Sequence, residues 1–176
     1  FNMGVHKTVC KDLGGFPITR MHPGEDMVFT IELIKRGFST ALFSDSGVYH
    51  KRRNSLRSFF KQVFKFGKTR FIISNVYPET AKWFFWIPSI LLLAALILIG
   101  LSIGVSWIFI TPVVAYFILI FLAAALPTNC SQLGFFSILT SAIQISAYGL
   151  GFASSVWKIK VLGIDEYGVL EKGFYS

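Results

Sequence analysis

Two neighbouring carboxylates, Glu25 and Asp26, follow Gly24 and open a segment with helical spacing. A carboxylate held within hydrogen-bonding reach of an acceptor hydroxyl acts as a general base. Carboxylates also stabilise the first turn of a helix, because they face its free N–H groups and the positive end of its dipole. Local sequence alone favours this structural interpretation and leaves the catalytic one open.

The glycine pair Gly14-Gly15 is a weaker signal of the same kind. Glycine adopts positive φ without strain and lets the backbone approach a ligand closely. An ordinary turn is the favoured interpretation of an isolated pair, and a ligand-binding loop is the alternative.

A basic run begins at His50 and contains Arg52 and Arg53. Neutral imidazole is a common metal ligand, and guanidinium groups suit a phosphate-bearing substrate. Basic residues close to a membrane span are also retained in the cytoplasm, whatever their chemistry. We expect the cations to serve both purposes, whereas a lone histidine is more often structural.

Gln62, Lys65 and Phe66 stand at positions i, i+3 and i+4, so they share one face of a helix. A polar, a cationic and an aromatic side chain together would hold a sugar by hydrogen bonds and stacking. Membrane anchoring is the simpler interpretation of this face.

The elements that position these residues divide the chain into a basic front and an apolar rear. Of the 17 Lys and Arg in 176 residues, 14 precede residue 83, and residues 83–157 contain no Asp, Glu, Lys or Arg. This segment predicts an integral membrane protein, because about 20 apolar residues cross the hydrocarbon core as a helix. The predicted spans are residues 84–104, 108–126 and 133–154. The third contains Gln144, several serines, Gly149 and Gly151, which favour packing against other helices or a partly re-entrant path.

Periodicity predicts the elements of the front. Apolar residues at helical spacing indicate a helix over residues 25–35, and two short strands are expected over residues 40–43 and 47–50. Residues 55–75 form the strongest amphipathic pattern, with a basic face suited to anionic membrane lipids. Residues 51–70 hold eight cations and no acid, which places this side of the membrane in the cytoplasm.

Taken in order, these pieces resemble the C-terminal half of a membrane-bound family 2 glycosyltransferase with a GT-A catalytic fold, of the exopolysaccharide and cell-wall glycan type. The resemblance covers roughly residues 1–70. It is carried by Gly14-Gly15-Phe16, Gly24-Glu25-Asp26, the Ile-Glu-Leu-Ile-Lys-Arg-Gly-Phe run, residues 45–50, Arg52-Arg53-Asn54-Ser55 and Gln62-Val63-Phe64-Lys65-Phe66-Gly67.

The resemblance implies an α/β fragment, the acceptor-side half of a GT-A domain, followed by an amphipathic interfacial helix and about three transmembrane helices. The implied divisions are a catalytic part over 1–54, the interfacial helix and linker over 55–82, the transmembrane region over 83–157 and a tail over 158–176.

The resemblance also implies roles for the front residues. Asp26 is similar to the family's general base, with Glu25 in support, and this context reverses the preference for a purely structural role. Gly14 and Gly15 look like the loop that shapes the acceptor and donor pocket.

The basic run receives a role in the same way. His50 stands where the fold's C-terminal histidine coordinates a divalent metal, Mg²⁺ or Mn²⁺, on the donor diphosphate. Arg52 and Arg53 would bind the substrate.

The three residues on the helix face resemble a weakened Gln-x-x-Arg-Trp motif, made of Gln62, Lys65 and Phe66. Lysine keeps the charge of arginine but loses its planar fork, and phenylalanine keeps stacking but loses a donor. This departure argues against processive synthesis and favours transfer of a single sugar.

The implied function is inverting transfer of a sugar from a nucleotide-sugar donor to a lipid-linked or polysaccharide acceptor, at the cytoplasmic face of the cell membrane and with no nucleic-acid partner. The sequence has no Asp-x-Asp. The nucleotide-binding half, which would hold most of the metal site, is therefore expected to be missing, and the chain to be inactive alone.

Two non-enzymatic interpretations compete with this one. A membrane anchor or assembly subunit would explain the spans and the basic cytoplasmic patch, but it does not call for Gly-Glu-Asp. A transporter fits less well, because the spans hold no charged residue and no histidine, and ion pathways usually need one.

Overall fold

The computed structural model describes residues 3–15, 23–43, 47–49 and 55–164. This part of the chain forms six α-helices joined by turns and short 3₁₀ segments. In chain order they are α1 (Lys7–Asp12), α2 (Glu25–Lys35), α3 (Leu56–Val76), α4 (Ile87–Gly104), α5 (Thr111–Thr128) and α6 (Ser131–Val156).

Three helices are long and apolar enough to cross a membrane, which confirms that prediction. They cover Trp83–Gly104, Trp107–Thr128 and Ser131–Val161, each counted with its adjoining 3₁₀ or π turn. A proline lies in the first turn of both α4 and α5, where its missing N–H breaks no helical hydrogen bond. At 31 residues, the third span is about 46 Å long, so one end extends beyond a hydrocarbon core of about 30 Å.

The α/β fold class predicted for the front is wrong for the described residues, which contain no strand. Residues 38–43 and 47–49 carry no regular structure, and Leu42 and Tyr49 are fully exposed. The turn signal at residues 44–46 between two short runs made these segments look like strands. A two-stranded hairpin is only marginally stable without further strands or a helix beneath it, and the described chain supplies neither.

The front is instead built around α2, which has apolar contacts on two sides. Phe29 and Leu33 pack with Leu13 and the segment before α1. Val28 packs with Ile72 and other residues near the end of α3. α2 therefore connects the start of the chain to α3.

Helix α3 begins at its N-cap residue Ser55, whose hydroxyl accepts a hydrogen bond from the Ser58 N–H at 3.2 Å. This agrees closely with the predicted helix over residues 55–75. This helix, with its apolar stripe, was expected to lie in the membrane interface against anionic lipid. In the structure, the part of the stripe near Gly67 and Phe71 packs against α6, the helix with which α3 has its most extensive contact.

Helix α6 is the common partner of α3, α4 and α5. Small residues bring the backbones together. A Cβ at Gly67 would meet the Tyr148 carbonyl, one at Gly151 would meet the Phe64 carbonyl, and one at Gly149 would lie 2.9 Å from the Pro88 carbonyl oxygen. Since lipid tails are as apolar as leucine, close backbone approach is what favours helix association in a membrane.

Candidate functional site

A cavity of about 750 Å³ lies where the start of α2 meets α3 and the membrane helices. We call it the polar cavity, because side chains with hydrogen-bonding groups line it from four elements. Its wall consists of Pro23, Gly24, Asp26, Met27, Phe59, Val63, Phe66, Thr69, Arg70, Pro88, Tyr116, Ser141, Gln144, Ile145 and Tyr148.

The first wall of the polar cavity is one stripe of α3. Phe59, Val63, Phe66 and Arg70 follow one another at steps of four, three and four residues, so they share one face of the helix. This stripe is apolar at its start and cationic at its end.

The second wall is the N-terminus of α2, with the Asp26 carboxylate. The helix begins after Gly24, whose φ of 131° is strained for any residue with a side chain. The buried Thr69 hydroxyl donates to the Pro23 carbonyl at 2.8 Å, which attaches the chain just before this glycine to α3. One Asp26 carboxylate oxygen accepts from the Met27 N–H at 2.9 Å. These two hydrogen bonds hold the Asp26 carboxylate at the cavity. Both a structural role at the start of the helix and a catalytic role require this position.

The third wall is polar although it belongs to the membrane helices. The Tyr116 and Ser141 hydroxyls hydrogen-bond to each other at 2.8 Å, from α5 to α6. Gln144 presents an exposed amide one turn further along α6, followed by Tyr148. Polar side chains within membrane spans usually face an interior or a cavity, because exposure to hydrocarbon leaves their hydrogen bonds unmade.

Arg70 is the one cation among the described residues that line the polar cavity. Its guanidinium lies over the Phe85 ring, 4.5 Å from the ring centroid, and beside the Tyr148 hydroxyl. A guanidinium has five N–H donors and can therefore contact an aromatic ring and a hydroxyl while it also donates to an anion. The cavity thus has a carboxylate at one wall and a guanidinium at another.

The residues predicted from sequence are only partly brought together. Asp26 and Phe66 both line the polar cavity. Glu25 is half-buried in the first turn of α2 and is not part of the cavity wall. Lys65 is exposed and Gln62 half-buried, and both lie outside the wall.

Gly14 and Gly15 end helix α1 in the described structure. The Gly15 N–H donates to the Cys10 carbonyl at 2.8 Å and the Gly14 N–H to the Lys11 carbonyl at 2.9 Å, the paired hydrogen bonds of a Schellman motif. Both glycines have positive φ, as this motif favours. The turn interpretation therefore accounts for the pair, and neither glycine lines the polar cavity.

His50, Arg52 and Arg53 lie outside the described residues. Among the residues that the structure describes, no three His, Cys, Asp or Glu side chains stand close enough together to hold a metal ion. Asp26 is also the one carboxylate in the described cavity wall. These residues by themselves do not fit a divalent metal.

Sequence reasoning missed Thr69, Arg70 and the polar wall of the membrane helices. The signal for Arg70 was its spacing of four residues from Phe66. On α6, Ser141, Gln144 and Tyr148 recur at three- and four-residue steps, which place them on one face of the third apolar run. The sequence alone gave no indication that this face meets Asp26.

The fold and the cavity together define a helical membrane protein with a carboxylate-bearing cavity that reaches into its spans. The sequence profile of the family described as Glycosyl transferase family group 2 matches residues 2–131, about three quarters of the chain. The chain belongs to this glycosyltransferase family. No curated protein and no solved structure matches it.

Proposed function

We propose that the polar cavity is the acceptor site of a membrane glycosyltransferase, which transfers a sugar from a nucleotide-sugar to a lipid-linked or glycan acceptor. Membership of the family supports glycosyl transfer in general. The observation that carries the assignment to this site is that the Asp26 carboxylate, which resembles the general base of such enzymes, lines a cavity where the front meets the membrane helices.

The proposed reaction inverts the configuration of the transferred sugar. Asp26 accepts the proton of the acceptor hydroxyl while the hydroxyl oxygen forms its bond to the anomeric carbon. The bond from that carbon to the donor phosphate breaks on the opposite side, and the nucleoside diphosphate leaves with the electron pair. A base within hydrogen-bonding reach contributes roughly 10²- to 10⁴-fold to such a step.

Other cavity residues would orient the acceptor. Phe66 offers a ring face for stacking against a sugar, and the Gln144 amide offers both a donor and an acceptor. The Thr69 hydroxyl acts indirectly, because its hydrogen bond to Pro23 fixes the backbone that leads into Asp26. We place the reaction at the cytoplasmic face of the cell membrane, which the eight cations and no acid of residues 51–70 support.

Substitution of the proposed base tests this function directly. Asp26→Asn keeps the size of the side chain but removes most of its basicity, so we expect transfer to fall by roughly 10²- to 10⁴-fold. The measurement is incorporation of labelled sugar from nucleotide-sugars into membrane-bound product, by membranes that contain the complete gene product. Membrane insertion should be unchanged.

Asp12→Asn is the matched control, because Asp12 is an exposed carboxylate at the end of α1 and lies outside the polar cavity. Its transfer rate should equal that of the unmodified protein. Near-normal transfer by Asp26→Asn would overturn the assignment and favour a membrane anchor or assembly subunit instead.

A further inference from the structure

The polar cavity adjoins a second space, which we call the apolar groove. It lies between α4, α5 and α6, has a volume of about 470 Å³ and meets the polar cavity at Tyr116 and Ile145, which line both. Its other wall residues are mostly aliphatic. They are Leu91, Leu92, Ala94, Ala95, Leu96, Leu98 and Ile99 on α4, Pro112, Val113 and Phe117 on α5, and Ala142, Ile143 and Ser146 on α6.

The two spaces differ in chemistry in a way that matches an amphiphile. The polar cavity contains the Arg70 guanidinium, the Gln144 amide and two hydroxyls that bond to each other. The apolar groove contains no charged side chain among the residues that line it. A ligand that fills both must therefore be hydrogen-bonding at one end and hydrocarbon at the other, and an anionic group on its polar end would contact the Arg70 guanidinium, away from the Asp26 carboxylate.

We propose that the polar cavity and the apolar groove together bind a lipid-linked acceptor with one long hydrocarbon chain and a phosphate-bearing head. The hydrocarbon chain of the lipid lies in the apolar groove. Its phosphate contacts Arg70 and Gln144, and its acceptor hydroxyl faces Asp26. This inference rests on the proposed function, since it makes Asp26 the neighbour of the acceptor, and it selects the lipid-linked class over a free glycan.

A free glycan fits the groove poorly. Its hydroxyls would face leucine, isoleucine and alanine side chains and lose hydrogen bonds to water without replacement. The groove therefore favours a hydrocarbon occupant.

An ordinary membrane lipid would fill the groove without selectivity, because lipid tails are as apolar as its walls. Selectivity for one lipid must come from the polar end. There, the Arg70 guanidinium is available to a phosphate, and a charge-assisted hydrogen bond between the two is stronger than a neutral one.

The α6 part of this site lies beyond the residues that match the family. Ser141, Gln144 and Tyr148 all follow residue 131, where the match ends. The family match therefore does not bear on the α6 part of this site.

Photolabelling tests the proposal without any need for catalysis. The probe is farnesyl phosphate with a benzophenone at the far end of its chain, added to the purified complete protein in phosphatidylcholine vesicles. We expect label on the α4 peptide around Leu98 and Ile99, the groove residues farthest along α4 from Pro88, which lines the polar cavity. Unlabelled farnesyl phosphate should compete, whereas inorganic phosphate and farnesol should compete at least about tenfold less well, because each lacks one half of the ligand.

Two pairs of variants localise the binding. Ala95→Trp fills the apolar groove and should abolish specific labelling, whereas Ala123→Trp, at an exposed position outside the groove, should leave it unchanged. Arg70→Gln should weaken probe binding about tenfold, the equivalent of one charge-assisted hydrogen bond, and Arg70→Lys should weaken it less.

Equal labelling of Ala95→Trp and Ala123→Trp, or label spread evenly over the lipid-facing helices, would overturn the proposal and show a groove filled by bulk lipid. These outcomes leave the proposed function standing if Asp26→Asn still abolishes transfer. If labelling is specific but the Asp26→Asn variant transfers sugar at the full rate, the lipid-binding proposal stands and the assignment of Asp26 as the general base is wrong.

Discussion

The front of the molecule and its membrane helices are held together by different kinds of contact. In the front, long-range hydrogen bonds fix one element to another, as Thr69 does with Pro23 and the Tyr77 hydroxyl does when it donates to Glu32 at 2.7 Å. In the spans, most serine and threonine hydroxyls donate to carbonyls three or four residues earlier in their own helix, as Thr140 does with Phe136.

The difference follows from the solvent of each region. In water, apolar burial drives the front together and directional bonds select its geometry. In lipid, burial of apolar surface contributes little, so contact depends on how closely the backbones approach. Positions without a side chain therefore determine the arrangement of the spans, and positions with a specific polar group determine that of the front.

The largest effect in this comparison should come from a single methyl group. Gly151→Ala would place a Cβ against the Phe64 carbonyl, which belongs to a backbone that cannot move without shifting α3. We expect the free energy of unfolding in detergent micelles to fall by about 3 kcal/mol, the upper part of the usual range for overpacking.

Gly100→Ala is the matched control, because it is also a helical glycine in a span and a Cβ there meets nothing within 4 Å. It should be neutral or stabilise the protein by up to about 1 kcal/mol, since alanine is the better helix former. Equal effects at both positions would mean that the α3–α6 contact does not depend on close approach.

A medium loss in the free energy of unfolding is expected where the removed hydroxyl connects two elements, and a smaller one where it bonds within its own helix. Thr69→Val leaves the Pro23 carbonyl without its donor and should lower the free energy of unfolding by about 1–2 kcal/mol. Thr140→Val should change it by less than about 0.5 kcal/mol, because the Phe136 carbonyl keeps its helical N–H partner. Chemical denaturation of both variants under one set of conditions gives the comparison, and a larger loss for Thr140→Val would contradict it.

The smallest effect concerns an exposed ion pair. Lys35 and Glu79 are 2.8 Å apart, and the hydrogen bond from Lys35 lowers the pKa of Glu79 below its ordinary value. A lowered carboxyl pKa stabilises the fold above the unfolded-state pKa, and this stability is lost as the pH falls through the folded-state pKa. The pair is solvent-exposed, so its contribution is small and screened by salt.

A pH series of melting temperatures measures this contribution. The unmodified protein should melt slightly above Glu79→Gln near pH 7, and the two should converge below about pH 4. A difference that persists in acid would show that Glu79 acts through something other than its charge.

The same contrast explains how far the sequence alone predicts this molecule. The three spans were predictable, because about 75 residues without a charge have few alternatives to crossing a membrane. Helices α2 and α3 were predictable from apolar periodicity. The strands were wrongly predicted, because two four-residue runs around a turn form a hairpin only if further strands or a helix pack against them.

The site residues that belong to short sequence motifs were predictable. Asp26 and Phe66 belong to recognisable motifs, and both line the polar cavity. Arg70 and Gln144 were not identified, because their relevance depends on where α3 crosses α6. That crossing is determined by Gly67 and Gly151, and a glycine in an apolar run does not reveal which helix will approach it.

The dependence of α3 on α6 has a consequence for the order of biosynthesis. The backbone that Gly67 contacts, around Tyr148 and Phe152, leaves the ribosome more than 80 residues after it. At about 5–20 residues per second, this is a delay of roughly 4–16 seconds. During that interval α3 is complete but has no helix to dock on. The cavity beside Asp26 therefore forms only after the third span has been made and inserted, so chains that end before α6 lack it.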